Sequence, residues 1–181
     1  LNAGASIFAG ASGSAAGPNG VDGGTGNDTF NVNGALTATI DGGADLDTIL
    51  GPNGATITIT GPGQGTITPG SSGGFFNMDS IQGSAGSETF IIAGNFGGDL
   101  NTGGGNDNVT IQNGGSVNNL NTGDGDDTVV IEDGGAVTGN IDLGAGNDSL
   151  SIADQATFNG IIDGGTGDDL VTIDFSTSTP G

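Results

Sequence analysis

Seven acidic residues stand at nearly regular intervals along the chain, and they are the first side chains whose types and spacing suggest chemistry. They are Asp28, Asp47, Glu88, Asp107, Asp127, Asp148 and Asp169. The intervals between them are 19, 41, 19, 20, 21 and 21 residues. Carboxylates are hard oxygen donors, so side chains gathered by such a spacing are suited to binding a hard divalent cation.

Composition narrows the chemistry further. The 181 residues include no Lys, Arg, His or Cys, but 21 acidic residues and 41 glycines, and the formal net charge is −21. This composition excludes catalysis by imidazole, amine or thiolate groups, and a chain so acidic repels nucleic acid. Because no basic side chain balances the carboxylates and no nitrogen or sulfur side-chain ligand accompanies them, we expect Ca²⁺ as the counter-charge.

Each acidic residue belongs to a repeated unit, which contains an apolar residue, a turn rich in Gly and Asx, the acid, and an apolar–polar–apolar triplet. The seven units cover residues 21–32, 40–51, 81–92, 100–111, 120–131, 141–152 and 162–173. The interval of 41 residues predicts an eroded copy, which we place at Ile59–Ile67, and Leu1–Gly4 resembles the start of another. Nine units of about 20 residues then account for the chain.

The repeat must be built from elements that can position the acids. Alternation with period two, as in Val109-Thr110-Ile111, predicts short strands, and pairs of glycines such as Gly114-Gly115 predict a second turn. We therefore expect an all-β fold, a flattened parallel β-solenoid of about nine coils. Each coil has two short strands, and helix is essentially absent.

The expected domain organisation is one calcium-binding solenoid domain over residues 1–181. Residues 1–20 form a degenerate first coil, 21–50 motif coils, 51–80 an irregular coil and 81–181 regular motif coils. Stacking of equivalent positions predicts a single row of carboxylates along one edge. Several calcium ions between successive turns would relieve their mutual repulsion.

Two stretches carry a family resemblance. GGTGNDTFN at Gly23–Asn31 and GGTGDDLVT at Gly164–Thr172 resemble the calcium-binding nonapeptide of repeats-in-toxin (RTX) proteins, which form a β-roll. The longer Gly123–Leu143 is similar to the 19-residue repeats of large bacterial surface adhesins, in which one turn of each coil binds calcium. The resemblance extends to about seven of the nine expected coils.

The resemblance implies a ligand set. The bridging ligands are Asp28, Asp47, Asp107, Asp127, Asp148 and Asp169, with Glu88 in the same place. The turn glycines supply backbone conformation and carbonyls, and they are Gly24, Gly26, Gly103, Gly105, Gly123, Gly125, Gly144, Gly146, Gly165 and Gly167. Asp45 and Leu46 depart from the pattern in the second copy, and Ser84 and Ser87 do so in the third. The tightest binding is therefore expected from Asp107 to Asp169.

These features favour a secreted structural protein over an enzyme. We expect a subunit or module of a bacterial surface fibre, sheath, surface layer or adhesin, located outside the cell or at its surface, with no membrane span. Joining Gly181 to Leu1 restores a normal coil, because the interval from Ile173 to Ala3 becomes 11 residues. This is expected if the chain stacks head to tail with copies of itself, and also if it is one of several tandem modules in a longer repetitive protein.

Two other functions remain as alternatives. An ice- or glycan-binding module of an adhesin would present a regular array at the two variable positions of the turn, but only Thr25 and Thr166 are threonines among them. A β-helix enzyme that degrades polysaccharide would use paired carboxylates, which the repeat already explains. Phe75-Phe76 with Met78 either fills the core of a widened coil or makes lateral contacts between filaments.

Overall fold

The computed structural model describes residues 20–34, 37–69 and 73–174, and these residues contain strands and turns but no helix. Nearly all of the degenerate coil expected at residues 1–20 lies outside them, as does the junction from Gly181 to Leu1. In chain order the strands are β1 (Gly20–Asp22), β2 (Thr29–Asn31), β3 (Thr39–Asp41), β4 (Thr48–Leu50), β5 (Thr56–Gly61), β6 (Gln64–Thr68), β7 (Phe75–Phe76), β8 (Ser80–Gln82), β9 (Thr89–Ile92), β10 (Asp99–Asn101), β11 (Asn108–Ile111), β12 (Ser116–Val117), β13 (Leu120–Asn121), β14 (Thr128–Ile131), β15 (Ala136–Val137), β16 (Ile141–Asp142), β17 (Ser149–Ile152), β18 (Thr157–Phe158), β19 (Ile162–Asp163) and β20 (Leu170–Ile173).

The strands form three sheets. The first has ten strands in the order β1-β3-β7-β6-β5-β9-β11-β14-β17-β20, the second has seven in the order β19-β16-β13-β10-β8-β4-β2, and the third is β12-β15-β18. Pairing is parallel throughout these sheets except where β6 meets β5 and β7. The expected all-β parallel β-solenoid is thus confirmed, with seven coils in the described residues where nine were expected for the whole chain.

The core lies between the ten-stranded and seven-stranded sheets. Period-two alternation sends every second side chain inward, so each coil adds one layer to the same apolar stacks. Phe90, Val109, Val129 and Leu150 occupy successive register positions of the ten-stranded sheet, and all four are fully buried. Burial of these stacks stabilises each coil only through its neighbours, as in other solenoids.

The segment between the second and third motifs does not contain the eroded coil placed at Ile59–Ile67. It forms an antiparallel hairpin instead, in which β5 and β6 pair through Ile57 with Ile67 around a turn at Pro62-Gly63. Gly63 has a φ of 59°, a backbone conformation that suits glycine in a tight turn. Because the hairpin uses residues that would otherwise form a coil, the interval of 41 residues does not represent two solenoid periods.

This hairpin offsets the two halves of the solenoid by half a coil. In the first block (β1 to β4), strands before an acidic turn belong to the ten-stranded sheet and strands after it to the seven-stranded sheet. In the second block (β8 to β20), this order is reversed. The join is the parallel pairing of β4 with β8, in which Ile49 faces Ile81.

The second turn of each later coil is more structured than the sequence predicts. Between Ser116 and Phe158, three coils each add a two-residue strand, and these strands form the third sheet. Coils in this region therefore have three strands rather than the expected two. The described part of the chain contains no helix with the length and apolar character needed to cross a membrane.

Candidate metal columns

The half-coil offset places the acidic turns on two edges of the solenoid. We call first edge the side where the chain passes from the ten-stranded to the seven-stranded sheet, and second edge the side where it returns. Asp28 and Asp47 lie on the first edge, because each precedes a strand of the seven-stranded sheet. Glu88 and the four later acids, Asp107, Asp127, Asp148 and Asp169, lie on the second edge, before strands of the ten-stranded sheet. The expectation of one row along one edge is therefore wrong.

The carboxylates on the second edge are joined by a ladder of backbone hydrogen bonds, which we call the second column. The N–H of each acidic residue donates to Oδ1 of the acid in the next coil. The four bonds are Glu88 to Asp107 at 2.7 Å, Asp107 to Asp127 at 2.7 Å, Asp127 to Asp148 at 2.8 Å and Asp148 to Asp169 at 3.0 Å. The repeat therefore fixes each carboxylate against the coil before it.

The first edge has the same ladder, and it includes a residue outside the repeated motif. The N–H of Asp28 donates to Asp47 Oδ1 at 2.8 Å, and the N–H of Asp47 donates to Asp79 Oδ2 at 3.0 Å. Asp79 immediately precedes β8, whose Ser80 is in register with Thr48. We call Asp28, Asp47 and Asp79 the first column.

One oxygen of most column carboxylates has no hydrogen-bond partner. Their Oδ1 atoms accept the ladder bonds or lie at the start of the ladder. The Oδ2 atoms are buried and have no partner among the described residues in Asp28, Asp47, Asp107, Asp127 and Asp148. These five side chains are at most 3% exposed. A buried carboxylate oxygen left unpaired is costly, so each marks a place where a cation or a proton would be stabilised.

Burial has a corresponding effect on acidity. It raises the pKa of Asp107 and Asp127 to about 6, despite the N–H of the preceding coil, which lowers each pKa. Burial also raises the pKa of Asp47 and Asp148. The Thr102 hydroxyl lies near Asp107 but donates its one proton to the Thr122 carbonyl at 2.9 Å, so it leaves Asp107 Oδ2 unpaired. Neighbouring carboxylates add to the upward shift, because like charges disfavour ionisation.

The turn glycines provide the backbone conformation that the sequence predicts. All ten have positive φ angles, between 79° and 145°. In the second column, the carbonyls of Gly103, Gly123 and Gly144 accept N–H groups of the next coil. The carbonyl oxygens of Gly105, Gly125 and Gly146 accept no hydrogen bond from the described residues, and each lies against the equivalent glycine of the next coil, at Gly125, Gly146 and Gly167. A stack of free carbonyl oxygens therefore starts two residues before each Asp.

The two imperfect motifs keep their turns by different means. In the second copy, Asp45 adopts a φ of 79° where other copies have glycine, and its Oδ2 accepts the Gly26 N–H at 3.0 Å. In the third copy, both oxygens of Glu88 are occupied. Oε1 accepts Gly54 N at 2.8 Å and Ser84 Oγ at 2.6 Å, and Oε2 accepts Ser84 N at 3.0 Å. Glu88 thus caps the start of the second column through its hydrogen bonds, and neither of its carboxylate oxygens is left unpaired.

Polar side chains just before the acids form a separate ladder on the outer surface of the turn, which is interrupted at Leu46. Here the side-chain oxygen accepts the N–H of the next coil, as in Asn106 to Asp126 at 3.1 Å and Asp126 to Asn147 at 2.8 Å. These side chains are part of the turn structure. They belong to the variable positions that an ice-binding array would use, so at least one of their polar atoms is already engaged.

Sequence reasoning missed Asp79, although a signal for it exists. Asp79-Ser80-Ile81 repeats the order acid, hydroxyl residue and buried apolar residue found in Asp28-Thr29-Phe30 and Asp47-Thr48-Ile49. It lacks the glycine turn before the acid, which is why it did not match the repeat. Thr102 and Thr122, both fully buried, were also missed, and their hydroxyls bond carbonyls of the following coil.

The oxygen donors present could bind calcium only if backbone carbonyls join the carboxylates. Among the described residues, no group of three or more His, Cys, Asp or Glu side chains is arranged to hold a metal ion by side chains alone. Each site would therefore have two carboxylates from consecutive coils, with backbone carbonyls completing the shell. This all-oxygen set of mixed ligands is one that Ca²⁺ accepts more readily than Mg²⁺, which requires stricter geometry.

Comparison of the chain with protein-family models, with curated proteins and with solved structures found no match. The solenoid architecture is consistent with a β-roll, while membership of the RTX family remains a hypothesis based on the motifs.

Proposed function

We propose that this chain is a calcium-stabilised structural solenoid, a secreted module or subunit of a bacterial surface fibre, sheath, surface layer or adhesin. The observation that carries the proposal is the set of five buried Oδ2 atoms without partners, arranged in registered columns. They occur in a chain with no Lys or Arg to neutralise them. Calcium supplies the missing positive charge inside the turns.

A proton could also occupy these unpaired Oδ2 atoms in place of calcium, and the pH determines which of the two is bound. Since the pKa of Asp107 and Asp127 is about 6, both are mainly ionised near pH 7 and repel each other along the column. A divalent cation between consecutive coils then stabilises the folded chain by binding the native state and not the unfolded one. Calcium concentrations outside cells are sufficient for sites of modest affinity, in the millimolar range of extracellular modules.

A structural role agrees with how the acids are used. Their Oδ1 atoms accept backbone N–H groups of neighbouring coils, and their side chains are buried in the turns. Carboxylates that catalyse glycan cleavage must instead reach a substrate from both sides of a bond. We therefore propose that the chain is not an enzyme.

Head-to-tail stacking is the assembly that we propose, and its occupant is a second copy of the chain. In β20, the last described strand, Val171 is 39% exposed and Ile173 is 41% exposed. Their register partners in β17, Leu150 and Ile152, are buried. Another coil of matching period would cover these apolar positions and continue both the backbone ladder and the second column.

The calcium proposal is tested by unfolding the chain in urea in millimolar calcium, in millimolar magnesium and in EGTA, followed by circular dichroism. We expect β-structure to persist to higher urea in calcium than in magnesium, and to be weakest in EGTA. Addition of calcium to the EGTA sample should restore it. Identical unfolding curves in calcium and EGTA would contradict the proposal.

The stacking proposal is tested separately by sedimentation velocity and electron microscopy in calcium. Ile173→Asp places a charge on an inward register position of β20 and should reduce self-association. Thr172→Asp adds the same charge on the outward side of the same strand and is the matched control. If both variants self-associated to the same extent as the unmodified chain, this strand would not be the contact.

A further inference from the structure

We infer that the solenoid has a second, independent calcium column on its first edge, with Asp79 as a ligand outside the repeat. This inference rests on the proposed calcium binding, and it adds a site and a structural role that the motif pattern does not contain. The two sites of this column lie between Asp28 and Asp47 and between Asp47 and Asp79, on the edge opposite the second column.

The independent observation that points to a ligand is the state of two buried carboxylates. Asp28 is 3% exposed and Asp47 is fully buried, and Oδ2 of each has no hydrogen-bond partner. Both side chains line a cleft of about 380 Å³ on this edge, together with Asp79 and Asp99. Two buried carboxylates that each have an unpaired oxygen therefore lie beside two carboxylates, Asp79 and Asp99, that are exposed to solvent.

Asp79 takes the place that a motif aspartate would occupy in a third coil. Its Oδ2 accepts the Asp47 N–H, as Asp47 Oδ1 accepts the Asp28 N–H, so the three carboxylates are linked in the same way as those of the second column. Its other carboxylate oxygen, Oδ1, is available in an exposed side chain. The charge of Asp79 also contributes to the raised pKa of Asp47, as expected for neighbouring carboxylates.

The column ends in the coil that follows. The residue in register with Asp79 is Gly98, since Ser80 pairs with Asp99, so the ladder has no acid at its next position. Asp99 instead directs Oδ1 to the side chain of Asn118 and to both the backbone and the side chain of Asn119. On this edge, later coils continue with amides at Asn119 and Asn140. The geometry thus limits the first column to three carboxylates.

A cation in this column would join parts of the chain that differ in structure. Asp28 and Asp47 belong to the first block, whereas Asp79 follows the hairpin β5–β6 and the short strand β7. Calcium between Asp47 and Asp79 therefore fixes the return of the chain from the hairpin to the solenoid. The second column begins at Glu88 on the other edge, so its ions act on later coils only.

The test compares four full-length chains by calcium equilibrium dialysis and by hydrogen exchange with and without calcium. Asp79→Asn keeps an acceptor for the Asp47 N–H and removes the charge. Asp127→Asn changes the second column in the same way, and Glu132→Gln removes one exposed charge as a control. The unmodified chain provides the reference stoichiometry.

We expect Asp79→Asn to bind about one calcium ion fewer per chain, because a two-carboxylate site loses one of its charged ligands. It should also lose calcium-dependent protection of β4, β7 and β8 while keeping protection of β11 and β14. Asp127→Asn should instead lose calcium-dependent protection of β11 and β14 while keeping that of β4, β7 and β8. Glu132→Gln should change neither the stoichiometry nor the protection. Unchanged stoichiometry and protection in Asp79→Asn would overturn this inference while leaving the second column intact. Absence of calcium binding by the unmodified chain would instead overturn the proposed function.

Discussion

The backbone N–H of Asp107 donates to Oδ1 of Asp127 in the next coil at 2.7 Å, while Oδ2 of Asp127 is buried without a partner. The two oxygens of one carboxylate therefore have different roles. Oδ1 fixes the stacking of coils through a hydrogen bond that an amide oxygen can also accept. Oδ2 carries the unbalanced charge. Substitution of Asp by Asn separates these roles, since it keeps the first and removes the second.

Asp127→Asn should change stability in opposite directions with and without calcium. In EGTA it removes a buried charge and should raise the free energy of unfolding by roughly 1 kcal/mol, less than the full cost of the charge because the new amide N–H₂ is itself unpaired. In saturating calcium it should lower stability relative to the unmodified chain, because a ligand is lost. Urea unfolding in both conditions measures the two signs.

Asp124→Asn is the matched control for this prediction. Asp124 is exposed in the same turn, and equivalent positions in other coils are Gly104 and Ala145. Its substitution should change stability by less than about 0.5 kcal/mol in either condition. A loss of stability by Asp127→Asn of equal size in EGTA and in calcium would indicate a purely structural aspartate.

Without calcium, the chain should become more stable as the pH falls from about 7 to about 4. Burial raises the pKa of Asp107 and Asp127 to about 6 in the folded state, above the unfolded value of 3.8. The folded chain therefore binds more protons than the unfolded chain in this interval, and stability is lost as the pH rises through the folded pKa. Each carboxyl contributes up to roughly 3 kcal/mol.

The measurement is urea unfolding in EGTA at several pH values between 4 and 7. In saturating calcium the trend should weaken or reverse, because protons then compete with the metal for the same oxygens. A metal-free chain that loses stability steadily on acidification from pH 7 would show that the column carboxylates are ionised and satisfied by other means.

The regular coils were predictable because their signals are local and repeated. The position of Asp107, Asp127 and Asp148 in register, and the positive φ of Gly123 and Gly125, follow from one unit of about 20 residues. The architecture and the stacking of these acids required no knowledge beyond that period. Whether they bind calcium remains a prediction, since sequence pattern and geometry both indicate unbalanced charge and do not identify its partner.

The hairpin was not predicted because the interval that contains it, 41 residues from Asp47 to Glu88, coincides with two periods. ITITGPGQGTIT contains two alternating runs around Pro62-Gly63, a pattern typical of a hairpin, but the 41 residues between Asp47 and Glu88 favoured an eroded coil. The error affected the site, since an inserted hairpin reverses which edge carries the acids. Regularly spaced acids can be placed on one edge from the sequence only while successive coils pass between the two sheets in the same order.

Gly125→Ala should strongly destabilise the chain in calcium. Gly125 has a φ of 136°, and an added Cβ would overlap the carbonyl oxygen of Gly105 in the preceding coil. Both the strained backbone and the displaced carbonyl oppose folding, so we expect a loss of roughly 2–4 kcal/mol. Urea unfolding measures the effect.

Gly114→Ala separates backbone conformation from the close approach of coils. Gly114 has a φ of 82°, but an added Cβ would meet no atom within 4 Å. Its substitution should cost only about 1–2 kcal/mol, the penalty of the left-handed conformation for an L-residue. Equal losses for both variants would show that the stacked carbonyls of the acidic turn tolerate displacement.

Phe75→Ala should destabilise the packing of the hairpin on the solenoid, whereas Phe76→Ala should not. Phe75 is 2% exposed, pairs in register with Ile40 and has its ring against Gly65 of the hairpin, while Phe76 is 36% exposed. The burial of Phe75 and Met78 supports core filling, one of the two roles that the sequence left open. Removing the buried ring leaves a cavity and should cost roughly 3–5 kcal/mol.

Urea unfolding of both variants in calcium measures the difference, and electron microscopy of the same samples detects bundling. If Phe76→Ala abolished bundling with stability unchanged, the exposed ring would be a lateral contact between filaments. Equal stability of both variants would instead exclude Phe75 as the packing link between hairpin and solenoid.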